Sequence, residues 1–134
     1  MIGSPGWKPY LDLLLKDPGV KTAGLYGREG QPWAAQDDMA VTSQEVRDLV
    51  AGFADTSKLT QNGVVLVGVR YMYLNTVQGA YPSPPVLFAR KSATTALVTI
   101  TKRALIVVMT KDGYNSANVT SHLGVAADLL AKGF

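Results

Sequence analysis

Two apolar runs, residues 96–101 and 104–109, are separated only by Lys102-Arg103. A connection of two residues cannot carry a crossover, so the runs pair as an antiparallel hairpin. From Val64 onward the chain is dense in β-branched and aromatic residues, the composition of partly buried strands. Residues 64–67 and 70–75 flank Gly68-Val69 as a second hairpin, and residues 86–90 form a further short strand. Nearer the amino end, residues 20–27 read as a strand that turns through Arg28-Glu29-Gly30 into Trp33-Ala34-Ala35.

Helices bracket these strands. Over residues 5–16, Ser4 is the expected cap, Pro5 suits the first helical position, and Tyr10, Leu11, Leu13, Leu14 and Leu15 follow. Asp17-Pro18-Gly19 stops this helix. Thr42-Ser43-Gln44-Glu45 has the spacing of a capping box, and Val46, Leu49, Val50 and Phe53 then recur at helical period. Residues 55–61 are polar and irregular, with room for one helical turn. A last helix is predicted over residues 116–131, capped by Asn115 or Ser116 and stopped by Gly133. Its core stripe reads Val119, Leu123, Ala126, Ala127 and Leu130, which leaves Val125, Leu129 and Phe134 facing sideways. The implied class is α+β: a central antiparallel sheet with the N- and C-terminal helices on one face and a shorter internal helix on the other.

At 134 residues and 47% hydrophobic content, one domain over residues 1–134 is expected. No run reaches the roughly 18 apolar residues of a membrane span, and the start MIGSPGWKPY has no secretory pattern. Cysteine is absent, which excludes disulfides and thiolate metal sites. The net charge of +3 comes from scattered basic residues, so no nucleic-acid partner is expected. Those cations either keep the surface solvated or meet an acidic partner or anionic lipid.

Catalytic chemistry is missing from the pattern. The single histidine, His122, makes neither a zinc site nor a hydrolase and reads as a surface or packed imidazole. Asp37-Asp38 has no companion ligands, and Gly24, Gly27 and Gly30 form no phosphate loop. No enzyme, cofactor or metal is therefore expected. What stands out is aromatic: Trp7 and Tyr10 on one helix edge, Trp33 on the hairpin, and Leu129 and Phe134 at the carboxyl end. These side chains either glue the terminal helices to the sheet or line a trough for a proline-rich peptide. Such a peptide offers carbonyl oxygens without N–H groups and matches indole and phenol donors. Tyr81-Pro82-Ser83-Pro84-Pro85 reads as a stiff loop or as a short ligand for such a trough.

Gly6-Trp7 with Tyr10, Pro32-Trp33-Ala34-Ala35, Val41-Thr42, Asn62-Gly63, Arg90-Lys91-Ser92, residues 98–102, residues 109–113 and the ending at residues 128–134 together resemble the profilin family, in family order over the whole chain. The resemblance implies a cytoplasmic, cytoskeletal protein that binds monomeric actin, captures proline-rich segments of actin regulators and interacts with phosphoinositides. It places the polyproline groove at Trp7, Tyr10, Trp33, Leu129, Leu130 and Phe134. It places the actin face at Arg70, Asn75, Arg90, Lys91, Tyr114, Asn115, Ala117, Thr120, Ser121, Gly124 and Val125. The vertebrate pattern carries lysine, tyrosine and glutamate where this chain has Ser121, Gly124 and Val125. Two rival functions are a proline-peptide adaptor without useful actin affinity, and a lipid-surface protein using Arg90, Lys91, Lys102 and Arg103.

Overall fold

A computed structural model describes residues 2–78 and 84–134, with backbone alone for Ile2 and Pro5. The Tyr81-Pro82-Ser83 portion of the proline-rich stretch lies outside the described residues. In chain order the elements are β1 (Ile2–Gly3), a 3-10 turn (Pro5–Trp7), α1 (Lys8–Leu15), β2 (Val20–Gly27), β3 (Pro32–Ala35), α2 (Ser43–Ala54), α3 (Ser57–Asn62), β4 (Val64–Leu66), β5 (Val69–Val77), β6 (Val86–Lys91), β7 (Thr94–Ile100), β8 (Ala104–Thr110), a second 3-10 turn (Ser116–Asn118) and α4 (Ser121–Ala131). The eight strands form one antiparallel sheet in the order β1-β3-β2-β8-β7-β6-β5-β4. The hairpin across Lys102-Arg103 stands at its centre, with Ile100 opposite Leu105 and Val98 opposite Val107.

Both faces of this centre are covered, which is why β8 is an unbroken apolar run rather than an alternating one. Leu11 and Leu14 of α1 and Val125, Ala126 and Leu129 of α4 pack on Leu25, Leu97, Ile106 and Val108. On the other face Val46 and Leu49 of α2 and Leu59 of α3 pack on Leu66, Leu87, Val98, Leu105 and Val107. Each fully buried leucine or valine contributes about 1.5–3 kcal/mol. The expected arrangement of helices holds, with the internal helical segment divided into α2 and α3.

The capping box forms as expected: Glu45 N–H donates to Thr42 Oγ1 at 3.1 Å and Thr42 N–H to Glu45 Oε1 at 2.9 Å. The same carboxylate also accepts from the N–H groups of Val67 at 3.0 Å and Gly68 at 2.9 Å. This moves the β4–β5 turn one residue from its expected place, to Val67-Gly68, where both residues have positive φ (53° and 75°). A β-branched residue resists that conformation, so the Glu45 anchor offsets local strain.

The carboxyl-terminal helix also differs. It breaks at Val119 and Thr120, and α4 starts afresh at Ser121, whose N–H donates to Asp17 Oδ2 at 3.4 Å. Counted from that start, the buried face is His122, Val125, Ala126 and Leu129, while Leu123 is 40% exposed. The expected stripe was counted from Val119, across the break, and is therefore out of phase. Leu129 and Val125 are consequently core residues, 0% and 2% exposed, rather than the groove and actin contacts expected of them. In α1, likewise, Leu13 faces water at 49% exposure while Leu11 and Leu14 are inside.

Candidate functional site

The terminal elements converge at one end of the sheet. The 3-10 turn places Trp7 beside β3, where the Ser4 N–H donates to the Trp33 carbonyl at 2.8 Å. Trp7 and Trp33 stack with ring centres 4.3 Å apart and planes inclined by 17°. Phe134 stands edge-on to both, 5.1 Å from Trp7 and 5.7 Å from Trp33, and Tyr10 is 5.7 Å from Trp7. All four rings are half-buried, their inner edges resting on the core under α1 and α4. Phe134 is held there by its backbone: its carbonyl accepts from the Thr101 hydroxyl at 2.9 Å and its N–H donates to the Leu129 carbonyl at 2.8 Å.

The donors of this trough are not equivalent. Neither indole N–H donates to a protein acceptor among the described residues. The Tyr10 hydroxyl instead accepts from Lys132 Nζ, which also pairs with Asp128 at 3.2 Å. The Tyr10 hydroxyl first, and Lys132 second, hold the Asp128 carboxyl below its ordinary range. So the indoles are the donors open to a ligand, and Tyr10 is already engaged. Leu130 of α4 is half-buried, whereas Leu129 presents no surface.

A second region lies where α1 and α4 leave the sheet uncovered. Arg70, Met72 and Leu74 alternate outward on β5, and the direct pairs Met72–Arg90 and Asn75–Phe88 put these residues on the same face. At the sheet edge beside α3, Arg70, Arg90 and Lys91 line one recess of about 410 Å³ with Met72, Tyr73, Leu59 and Thr60. Ala117 and Thr120 line a neighbouring recess of about 310 Å³ with Val77, Phe88 and His122. Asn115, Ser121 and Gly124 are at least partly open, as is Tyr114. Met72, 64% exposed, Leu74 and Val77 were missed by sequence reasoning; apolar residues at alternate positions of an outer strand, interleaved with Arg70, were the available signal. The cations named for a lipid surface form two separate pairs: Arg90-Lys91 and Lys102-Arg103 sit at opposite ends of β7, roughly 20 Å apart at ~3.3 Å per residue.

His122 lines the second recess yet is 3% exposed, and its Nδ1 has no partner. Burial pushes the imidazole down to about 4, against a weaker opposing pull from the Asp17 carboxylate. It is thus neutral at pH 7. No cluster of three or more metal-ligating side chains occurs among the described residues.

A profilin family model matches residues 5–133. The profilin of Naegleria pringsheimi is 30% identical over 129 residues, covering 94% of this chain and 95% of its own length. The Bombyx mori profilin is 37% identical over 70 residues, and the chain spans 56% of the length of that relative and of the Drosophila melanogaster profilin. Among solved structures, Acanthamoeba castellanii profilin II superposes with a TM-score of 0.82 at 22% identity, over 96% of this chain and 99% of its own. Mouse profilin IIa in complex with a double repeat from the FH1 domain of mDia1 superposes at 0.79, with 21% identity, over 96% and 99%. With the family model spanning nearly every residue, from the turn that carries Trp7 to the end of α4, this chain belongs to the profilin family.

Proposed function

We propose that this chain is a cytoplasmic, cytoskeletal regulator that binds monomeric actin on the open face of β5 and β6 and proline-rich segments of actin regulators in the aromatic trough, without catalysis of its own and as a single domain. The observation that carries the reading is the stacked Trp7–Trp33 pair, only partly buried and with both indole N–H groups unengaged. Rings that only glued helices to a sheet edge would be covered and their donors satisfied. Trp7, Tyr10, Trp33, Leu130 and Phe134 form the groove wall, and the mouse relative bound to an FH1 repeat supports a proline-rich occupant.

The actin face comprises Arg70, Asn75, Arg90, Lys91, Tyr114, Asn115, Ala117, Thr120, Ser121 and Gly124, joined by Met72, Leu74 and Val77. Its basic recess beside exposed apolar side chains suits an acidic protein surface. The same recess favours a second reading, an anionic phosphoinositide headgroup held by Arg70, Arg90 and Lys91. Polyproline titration monitored by tryptophan fluorescence tests the groove, with saturable quenching or enhancement expected. Sedimentation of monomeric actin tests the other face. Polyproline binding without any actin binding at tens of micromolar would leave an adaptor.

A further inference from the structure

The aromatic trough does not end at Trp33. The nitrogen edge of that indole lies over Gly27, where a Cβ would stand 3.0 Å from Trp33 Nε1 and 2.7 Å from Gln31 Oε1. The missing side chain keeps the way open into a notch of about 400 Å³ lined by Arg28, Glu29, Gln31, Lys102 and Arg103. Three cations here face one side-chain carboxylate, and none of the three is within ion-pair distance of any carboxylate among the described residues. Arg28 is not loose: its guanidinium donates to the carbonyls of Lys102 at 3.3 Å and Thr101 at 3.5 Å.

Arg103 Cζ is 6.0 Å from the centre of the Phe134 ring, which is itself 5.7 Å from Trp33. Two such steps are covered by about four residues of polyproline II at ~3.1 Å each. Resting on the trough reading, we infer that the proline-rich segments this chain prefers carry an acidic side chain a few residues beyond the prolines on the indoles, its carboxylate entering the notch between Arg28, Lys102 and Arg103. Prolines then supply affinity through the rings, while the carboxylate fixes the direction in which the segment lies and selects among partners.

The test is tryptophan fluorescence titration of the full chain with decaproline and with decaproline bearing two aspartates at its amino or its carboxyl end, at ~50 mM and ~500 mM salt. One acid-flanked peptide is expected to bind about threefold to tenfold tighter than decaproline at low salt, the gain shrinking below about twofold at high salt. The ratio of the two affinities should fall to about one in Lys102→Gln/Arg103→Gln. Lys102→Gln alone, at an exposed turn position, gives an intermediate ratio and serves if the double variant folds poorly. Equal binding of all three peptides overturns the inference, as does a gain that survives loss of the cations. Saturable binding to phosphoinositide vesicles that those variants abolish, without any preference for acidic peptides, assigns the notch to lipid and overturns it too. If decaproline itself does not bind, the trough reading falls and this inference with it, a result distinct from the others.

Discussion

Acid should destabilise this protein through one imidazole. Above about pH 7, His122 is neutral in both folded and unfolded chains and contributes no pH dependence. Below its ordinary value of 6.5, the unfolded chain takes up a proton that the folded chain refuses until about pH 4, because the side chain is buried on the inner face of α4 and the pull of the Asp17 carboxylate is too weak to offset that burial. Stability contributed at neutral pH is therefore lost as pH falls through this window. Linkage gives about 2 kcal/mol lost by pH 5 and about 3 kcal/mol by pH 4, a large share of a domain stability of about 5–15 kcal/mol. His122→Leu removes the titration while keeping an apolar filling of similar bulk. Urea unfolding of both proteins at pH 7, 6 and 5 isolates the effect, since carboxylates common to both cancel in the difference. The wild type should lose about 2 kcal/mol more than the variant between pH 7 and pH 5. A difference that stays flat to about 0.5 kcal/mol, or an imidazole resonance titrating near its ordinary value, would refute the reasoning.

Trp33→Ala should weaken polyproline binding by about 5- to 150-fold, the equivalent of about 1–3 kcal/mol; circular dichroism must accompany the titration because Trp33 also rests on the core, and unchanged affinity in a folded variant rejects the trough. Arg90→Glu with Lys91→Glu should weaken actin sedimentation by at least about tenfold and leave polyproline affinity in place, whereas equal loss of both would mean that the two faces are one. Glu45→Ala deletes three accepted hydrogen bonds and should cost about 2 kcal/mol in urea unfolding, with a loss under about 0.5 kcal/mol showing that the β4–β5 turn does not depend on α2. Val67→Asn places at the turn a residue that tolerates positive φ before Gly68, and should stabilise by about 1 kcal/mol, raising the melting temperature by about 3 °C; a fall in melting temperature would count against strain at that position.

Much of the architecture was legible because it is written in local chemistry. The two-residue link at Lys102-Arg103, the Thr42–Glu45 box and the extent of β2 each depend on near neighbours and appear as expected. The errors share a cause. The phase of α4 was lost because the helix restarts at Ser121 instead of running on from Val119, and that start was missed because the group that caps it, Asp17, lies more than a hundred positions away. The β4–β5 turn was misplaced because an αL valine is unfavourable in isolation and is tolerated only with Glu45 reaching across from α2.

The candidate site divides in the same way. Sequence alone determined which rings exist, that they fall at the two ends of the chain and beside the first hairpin, and that the chain holds no cysteine and no G-x-x-x-x-G-K phosphate-loop pattern. Only the tertiary structure decided that Trp7 stacks on Trp33, that Tyr10 is committed to Lys132 while the indoles stay open, that Leu129 and Val125 are buried, and that Lys102-Arg103 joins the trough rather than Arg90-Lys91. The physical reason is range. Capping, turn and periodicity energies act over a few residues, whereas exposure, ring stacking and the sharing of a hydroxyl depend on which surfaces the whole sheet brings together.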